Sequence, residues 1–408
     1  MFECFLKTYT PLRTSLYLWI KNLFAGTILG LGKPEQLTIL EDMQSKGQLG
    51  CFALTEKFAG VNSGMIAGTT AHWDNSSQIF TINTPTAGAR KNWISQGFVA
   101  DKAVVVADLF VDGKSHGPHA FVMDLRVDGK VVEGVTLEDM GRKTVGNDLD
   151  NAAIHFDHIK VPKSALLNRY ADIVDGKYVQ TIKGIRTMDM IGQRLFSGRI
   201  AVAWAALTFR KKLFEMTKLY SDNKKCWGPD GDVPLTNIPQ LKHLYIEAED
   251  KAKDLETFAW KLEEELAACL VKSEIPSPEL QEAIAIAKVR CVETSIDLCF
   301  RLKQEVGSYA LMGGTGFEQA DFLQCCKFAE GDTRILSQKI ARDRFKVFSK
   351  SGKVVDEETK VAAELASNLV KDMKGGMDKF SAWDNNWTLV YKLANTRMDA
   401  VYNQYMKK

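Results

Sequence analysis

Residues 104–123 read VVVADLFVDGKSHGPHAFVM, and their pattern decides the fold. Val104-Val105-Val106 opens a β-rich run, Asp112-Gly113 interrupts it, and Ala120-Phe121-Val122-Met123 resumes it. Apolar, β-rich runs on either side of an Asp-Gly pair give two strands and a hairpin turn, because such turns need the positive φ that Gly tolerates. Outward from there, Ile79-Phe80-Thr81-Ile82 is another strand, preceded by the turn residues Asn75-Ser76-Ser77. Val127-Asp128-Gly129-Lys130 is similar to Val111-Asp112-Gly113-Lys114 and reads as a second hairpin turn, not a repeat. These signals make 51–165 a compact all-β domain, preceded by a short helical or mixed lead over 1–50.

From about residue 185 the period changes from two to between three and four. Long apolar-periodic stretches cover 193–220, 240–272, 279–306 and 333–349, with Pro234 and Pro239 before the second and Pro276 and Pro278 before the third. In the third, Ile284, Ala287, Cys291 and Leu298 share a face, and Lys288 and Arg290 fall at its edge or beyond. The stretches form a bundle over 185–350. Two more helical stretches fill 356–408, broken at Gly375-Gly376, with Trp383 and Trp387 as packing residues one turn apart.

Composition narrows the function. The 408 residues carry 53 Lys+Arg against 51 Asp+Glu, a net charge of +2, which gives no electrostatic case for a nucleic-acid partner. Eight Cys are too few for a disulfide scaffold. The most apolar stretch, 16–32, is short for a membrane span and interrupted by Lys21, so a buried or interfacial helix is expected there. Gly313-Gly314-Thr315-Gly316 lacks a dinucleotide-binding context, and Gly30-Leu31-Gly32-Lys33 runs into Pro34 where a phosphate loop needs Ser or Thr. His155 and His158, read on one strand, face opposite ways and make poor joint metal ligands. His116 and His119 read as exposed loop residues, and Cys325-Cys326 as two small buried side chains. No metal site is expected.

Three separated segments remain: Gly50-Cys51-Phe52-Ala53-Leu54-Thr55-Glu56, Lys91-Asn92-Trp93-Ile94-Ser95-Gln96-Gly97, and Ala329-Glu330-Gly331-Asp332-Thr333. In this order, over roughly 45–350, they resemble the acyl-CoA oxidase and acyl-CoA dehydrogenase superfamily of flavoproteins. The resemblance implies an α+β fold: a truncated N-terminal helical segment, a middle β-barrel or sandwich domain and a C-terminal helical bundle with extra helices. It implies FAD between the β domain and the bundle. Phe52, Leu54 and Thr55 would line the flavin, Trp93, Ile94 and Ser95 would contact it, and Gly97 would let backbone approach it. Glu330 would be the catalytic base, with a backbone N–H near it, in the Gly331 region, meeting the thioester carbonyl. That chemistry needs a carboxylate in a dry site, where desolvation raises its basicity toward an α C–H.

Further resemblances are to a partner-subunit pyrophosphate contact at Lys224 and Trp227, to backbone offered to a neighbour's cofactor at Gly313 and Gly314, and to a CoA-side arginine at Arg199. Asp332 belongs with the cofactor set and Ser63 with the substrate. Glu330-Gly331-Asp332 and Gly117-Pro118-His119-Ala120-Phe121 resemble oxidases more than dehydrogenases. The implied activity is α,β-dehydrogenation of acyl-CoA to trans-2-enoyl-CoA in fatty-acid β-oxidation, with O2 reduced to H2O2. A dehydrogenase passing electrons to an electron-transferring flavoprotein, and an inactive structural subunit of a larger assembly, stay open. A homo-oligomer is implied because the family's cofactor site uses two subunits. Oxidase resemblance implies the peroxisome, while the ending Tyr405-Met406-Lys407-Lys408 lacks a Ser-Lys-Leu type address and leaves a mitochondrial setting open.

Overall fold

Helices α1 (Gly26–Leu31) and α2 (Pro34–Lys46) precede β1 (Gly50–Ala53), β2 (Thr70–Asp74), β3 (Ile79–Asn83), β4 (Lys91–Ser95), β5 (Lys102–Val111) and β6 (Lys114–Asp124). There follow β7 (Arg126–Val127), β8 (Lys130–Val131), β9 (Val135–Asp139), β10 (Asn151–Phe156), β11 (Ile159–Pro162), β12 (Ala171–Val174) and β13 (Lys177–Gln180). The structure, a computed structural model, describes residues 23–59, 67–182, 187–229, 231–272 and 274–407, without the side chains of 187–190 and 192–194. Two compact units result, Met1–Ala201 with Leu270–Ile275, and Val202–Cys269 with Pro276–Lys408.

Strand β5 organises the first unit, because both its faces are buried. Ala103, Val105, Ala107, Leu109 and Val111 join Phe80, Ile82, Phe121 and Phe156 on one side. Val104 and Val106 meet Phe24, Ile28, Leu31 and Val122 on the other. A continuous Val run is what a strand covered on both faces requires. β5 pairs in parallel with β1 and β2 and antiparallel with β6, and β3 and β11 extend this six-stranded sheet. A second sheet runs β4-β10-β9. Asp112-Gly113 and Asp128-Gly129 both carry positive φ at the two turn positions, as the Asp-Gly signal implies, and Asp175-Gly176 adds a third such turn.

In the second unit, α3 (Thr187–Asn223), which begins in the first unit, leads through the short β14 (Lys225–Cys226) and β15 (Val233–Pro234) to α4 (Pro239–Val271) and α5 (Pro278–Glu305). Next come α6 (Asp321–Phe328), α7 (Thr333–Ser351), α8 (Glu357–Lys374), α9 (Lys379–Asn385) and α10 (Trp387–Lys407). Val202, Ala206 and Leu213 of α3, Leu241 and Leu244 of α4, and Val292, Leu298 and Leu302 of α5 share one core, closed by Leu323 and Cys326 of α6.

Several expectations change here. Three helices, not two, follow residue 356. Trp383 does pack, donating from its indole N–H to Gln338 Oε1 at 2.8 Å, but Trp387 is 58% exposed. Cys326 is buried, and Cys325 is exposed. His158 sits in the turn after β10 with positive φ, so the two-faced strand does not extend to it. Lys288 is fully buried, not at a solvated edge, because α5 is covered on all sides over 283–289. Of the stretch 16–32, residues 16–22 lie outside the described residues, and Phe24, Ile28 and Leu31 are buried. No described helix is long and apolar enough to cross a membrane.

His116 and His119 belong to β6, not to an exposed loop. The His116 ring stacks on Tyr178 with 4.0 Å between centroids, and His119 Nε2 lies 3.3 Å from the Tyr178 hydroxyl. Burial, only partly opposed by the Gly117 carbonyl, pushes the His119 imidazole down to about 4. The unfolded chain therefore binds a proton at higher pH than the native state does, and stability from this group is lost as pH falls from about 6.5 to about 4. His119→Gln is expected to flatten the pH dependence of the urea midpoint across that window, relative to the parent protein.

Candidate active site

In the first unit, the first two signature segments are joined by a buried ion pair. Lys91 Nζ lies 2.8 Å from Glu56 Oε1 with both side chains almost wholly inaccessible. The same ammonium donates to the Val106 carbonyl at 2.7 Å and to the Leu54 carbonyl at 3.2 Å. Glu56 accepts the Gly68 and Thr69 N–H groups at 2.7 and 3.0 Å. A buried charge is tolerated only when paired and fully hydrogen-bonded, and both groups meet that condition. Desolvation pushes the lysine down to about 8, with Glu56 opposing the shift. Neither residue was assigned a role from sequence; the signal was a Lys heading one motif and a Glu closing another.

The pair sets what its neighbours present. Asn92 N–H donates to the Thr55 carbonyl at 2.9 Å, so the exposed Thr55 sits beside β4. A bulge in the pairing of β4 with β10 gives Trp93 a φ of +57° and leaves its indole 55% exposed. Ser95 Oγ accepts Asn151 Nδ2 at 3.2 Å, which leaves its O–H to donate elsewhere. Phe52 and Leu54 are half-buried and pack on the cluster around Phe24 and Ile28. Ile94 is core, so its side chain offers nothing to a cofactor. Gly97 also has a reason within the protein itself. A Cβ there would meet Ala152 Cβ and the Ile94 carbonyl at 3.0 Å, a tight approach, so the protein's own packing favours the glycine. Ser63 lies outside the described residues.

In the second unit, Glu330 and Gly331 form the link between α6 and α7. Glu330 is 8% exposed and adopts φ +56°, and Gly331 follows at +97°. A left-handed Glu costs about 1–2 kcal/mol, so surrounding contacts must hold it. Asp332 is the N-cap of α7, accepting the Arg334 N–H at 2.8 Å and pairing with its guanidinium. Burial raises the Asp332 carboxyl and Arg334 outweighs that, so it stays below the usual range. Its visible work is capping.

The remaining expectations scatter. Lys224 and Trp227 follow α3, and Trp227 is 83% exposed. Gly313 and Gly314 meet nothing where a Cβ would stand, but the Gly314 and Gly316 N–H groups donate to the Glu318 carboxylate, both at 2.9 Å. The Gly314 amide, expected for a neighbour's cofactor, is thus engaged within the chain. Arg199 is half-buried with its guanidinium 5.4 Å from the Phe196 ring centroid. Among the described residues no His, Cys, Asp and Glu are grouped to hold a metal ion.

Known proteins match this arrangement. Arabidopsis thaliana acyl-CoA oxidase 1 superposes with a TM-score of 0.80 at 21% identity, covering 94% of this chain and 66% of its own. A Kluyveromyces lactis acyl-coenzyme A oxidase is 28% identical over 90% of this chain and 54% of its own length. The chain is thus similar in sequence to acyl-CoA oxidases and shares their fold. A human peroxisomal acyl-coenzyme A oxidase 3 is 32% identical over 59% of this chain and 35% of its own length. The chain thus spans a third to a half of these curated relatives. No family model matches it.

Removing one partner of the buried pair strands the other charge. Lys91→Ala is expected to cost about 3–5 kcal/mol in urea unfolding, and Lys91→Met combined with Glu56→Gln less than the two single changes summed.

Proposed function

We propose that the chain is an FAD-dependent acyl-CoA oxidase-like enzyme, with Glu330 as the base that opens α,β-dehydrogenation of an acyl-CoA thioester. The observation that carries the proposal is a buried carboxylate held in a left-handed link before a capped helix, in a chain with the acyl-CoA oxidase fold. Among the relatives, a Caenorhabditis elegans acyl-CoA oxidase-2 was solved with FAD, ascaroside-CoA and ATP bound.

The residues present fit a flavin in the first unit. A bulge turns the Trp93 indole outward beside Ser95, and the Asn151 contact commits only a lone pair of that hydroxyl, so its O–H can donate to a ring nitrogen. Thr55, exposed and tied to β4 through its carbonyl, supplies a second polar contact. Thr55, Trp93 and Ser95 would hold an FAD there, and a bound flavin would supply the acceptor for the β-hydride and the route of its electrons to O2, giving H2O2. Glu330 takes the α-proton onto its carboxylate, and a weakly solvated carboxylate is the stronger base for that task. The Gly331 N–H is suited to meet the thioester oxygen as enolate charge develops. Gly313 and Gly314, and the Lys224–Trp227 neighbourhood, are left as surfaces for a second subunit of a homo-oligomer. Peroxisomal residence fits the relatives named peroxisomal acyl-coenzyme A oxidases.

A second reading, a non-catalytic subunit of a larger assembly, draws on one observation: Glu318 already fills the amide concavity at Gly314 and Gly316. Anaerobic addition of a saturated acyl-CoA to the purified protein separates the two. The enzyme is yellow and its flavin band bleaches; Glu330→Gln keeps the colour and slows bleaching at least 1000-fold. A colourless stable protein, or a variant that bleaches at the parent rate, contradicts the assignment.

A further inference from the structure

We propose that Lys288 is the positioning residue for Glu330: its buried ammonium ties down the backbone on both sides of the base and holds the link in its left-handed conformation. The inference rests on the reading of Glu330 as the base. Lys288 lies in the middle of α5, with no exposed surface, inside a segment otherwise made of Ala, Ile and Val. A lysine in such a place is held there by its hydrogen bonds, since burying an ammonium is costly without them.

Its bonds are placed in an informative way. Nζ donates to the Lys327 carbonyl at 2.7 Å and to the Gly331 carbonyl at 2.9 Å. The first is in the last turn of α6, where a helix leaves carbonyls without intrahelical partners and favours a cation. The second is one residue beyond Glu330. The ammonium therefore brackets the strained residue, and rotation of the Glu330–Gly331 backbone out of positive φ would carry the Gly331 carbonyl off Nζ.

One and a half turns further along α5, Glu293 supplies an outer brace. It pairs with Lys327 Nζ at 3.0 Å and accepts the Thr333 hydroxyl at 2.9 Å. Thr333 opens α7, so α5 grips the link from 327 to 333 at its entry, its exit and beside the base. Such bracing matters because proton abstraction depends steeply on geometry, and a misplacement near 1 Å can cost about 100-fold.

The test uses the full-length protein with its flavin and compares Lys288→Met, Lys288→Gln and Glu330→Gln. Lys288→Met preserves chain length and removes the donors; Lys288→Gln keeps two donors on a shorter arm. The expected result for Lys288→Met is unchanged FAD content, KM within about twofold, and anaerobic bleaching slowed on the order of 10–100-fold. Backbone amide exchange of the 327–333 peptide, measured without substrate, rises at least tenfold while the remainder of α5 keeps its protection. Lys288→Gln is expected to lie between this variant and the parent, and decides the matter on the same readouts if Lys288→Met does not fold. Parent-like bleaching and exchange in a Lys288 variant, with Glu330→Gln inactive, overturns the positioning role and leaves the base intact. Loss of FAD and kcat together with unchanged exchange at 327–333 also overturns it. Parent-like bleaching by Glu330→Gln instead removes the base, and the exchange data then judge the brace alone.

Discussion

A buried lysine with every donor committed is the constraint on which the first unit's signature surface depends. Lys91 is drawn into a space walled by β5 and the end of the first motif, and its charge is met by Glu56 and two carbonyls. Displacing either segment would strand a charge in the core, at a cost well above that of a lost surface pair. The outward-facing residues, Thr55, Trp93 and Ser95, inherit their positions from this pair. None of them needs to be held by its own packing, so each remains available to a ligand.

The second unit applies the same physics to a different problem. There the segment to be fixed is a short link between helices whose central residue has an unfavourable backbone conformation. Backbone carbonyls of that link receive the ammonium of Lys288. In both units a long aliphatic stem is buried among apolar side chains while its tip satisfies polar backbone that no regular element covers. Each unit thereby gains a rigid polar feature beside the residues expected to meet substrate or cofactor.

Much of the fold was legible because both faces of β5 and the helical stripes are written as residue periods. The Asp-Gly turns at 112–113 and 128–129 were legible for the same local reason. What the sequence hid were consequences of tertiary burial. Lys288 falls near the edge of its stripe, and only the complete covering of 283–289 makes it interior. His119 carries a loop-like Gly-Pro neighbour yet lies on a strand against Tyr178. Of the site residues, Glu330 and the outward face of β4 were legible as motifs. The side-chain directions of Ile94, Phe52 and Leu54 were not, because strand alternation needs the bulge at Trp93 before it can be phased. Gly97 and Asp332 carried motif signals to which the structure adds packing and capping.

The central claim is that this scaffold presents a carboxylate to an acidic C–H while a hydride departs from the adjacent carbon. The most direct test is anaerobic stopped-flow absorbance of the purified yellow protein mixed with a saturated acyl-CoA carrying deuterium at the α-carbon, at the β-carbon, or at neither. The account predicts flavin bleaching with a primary isotope effect from each labelled position. Bleaching that ignores the α-label, or no bleaching by any acyl-CoA in protein with full FAD content, would contradict it.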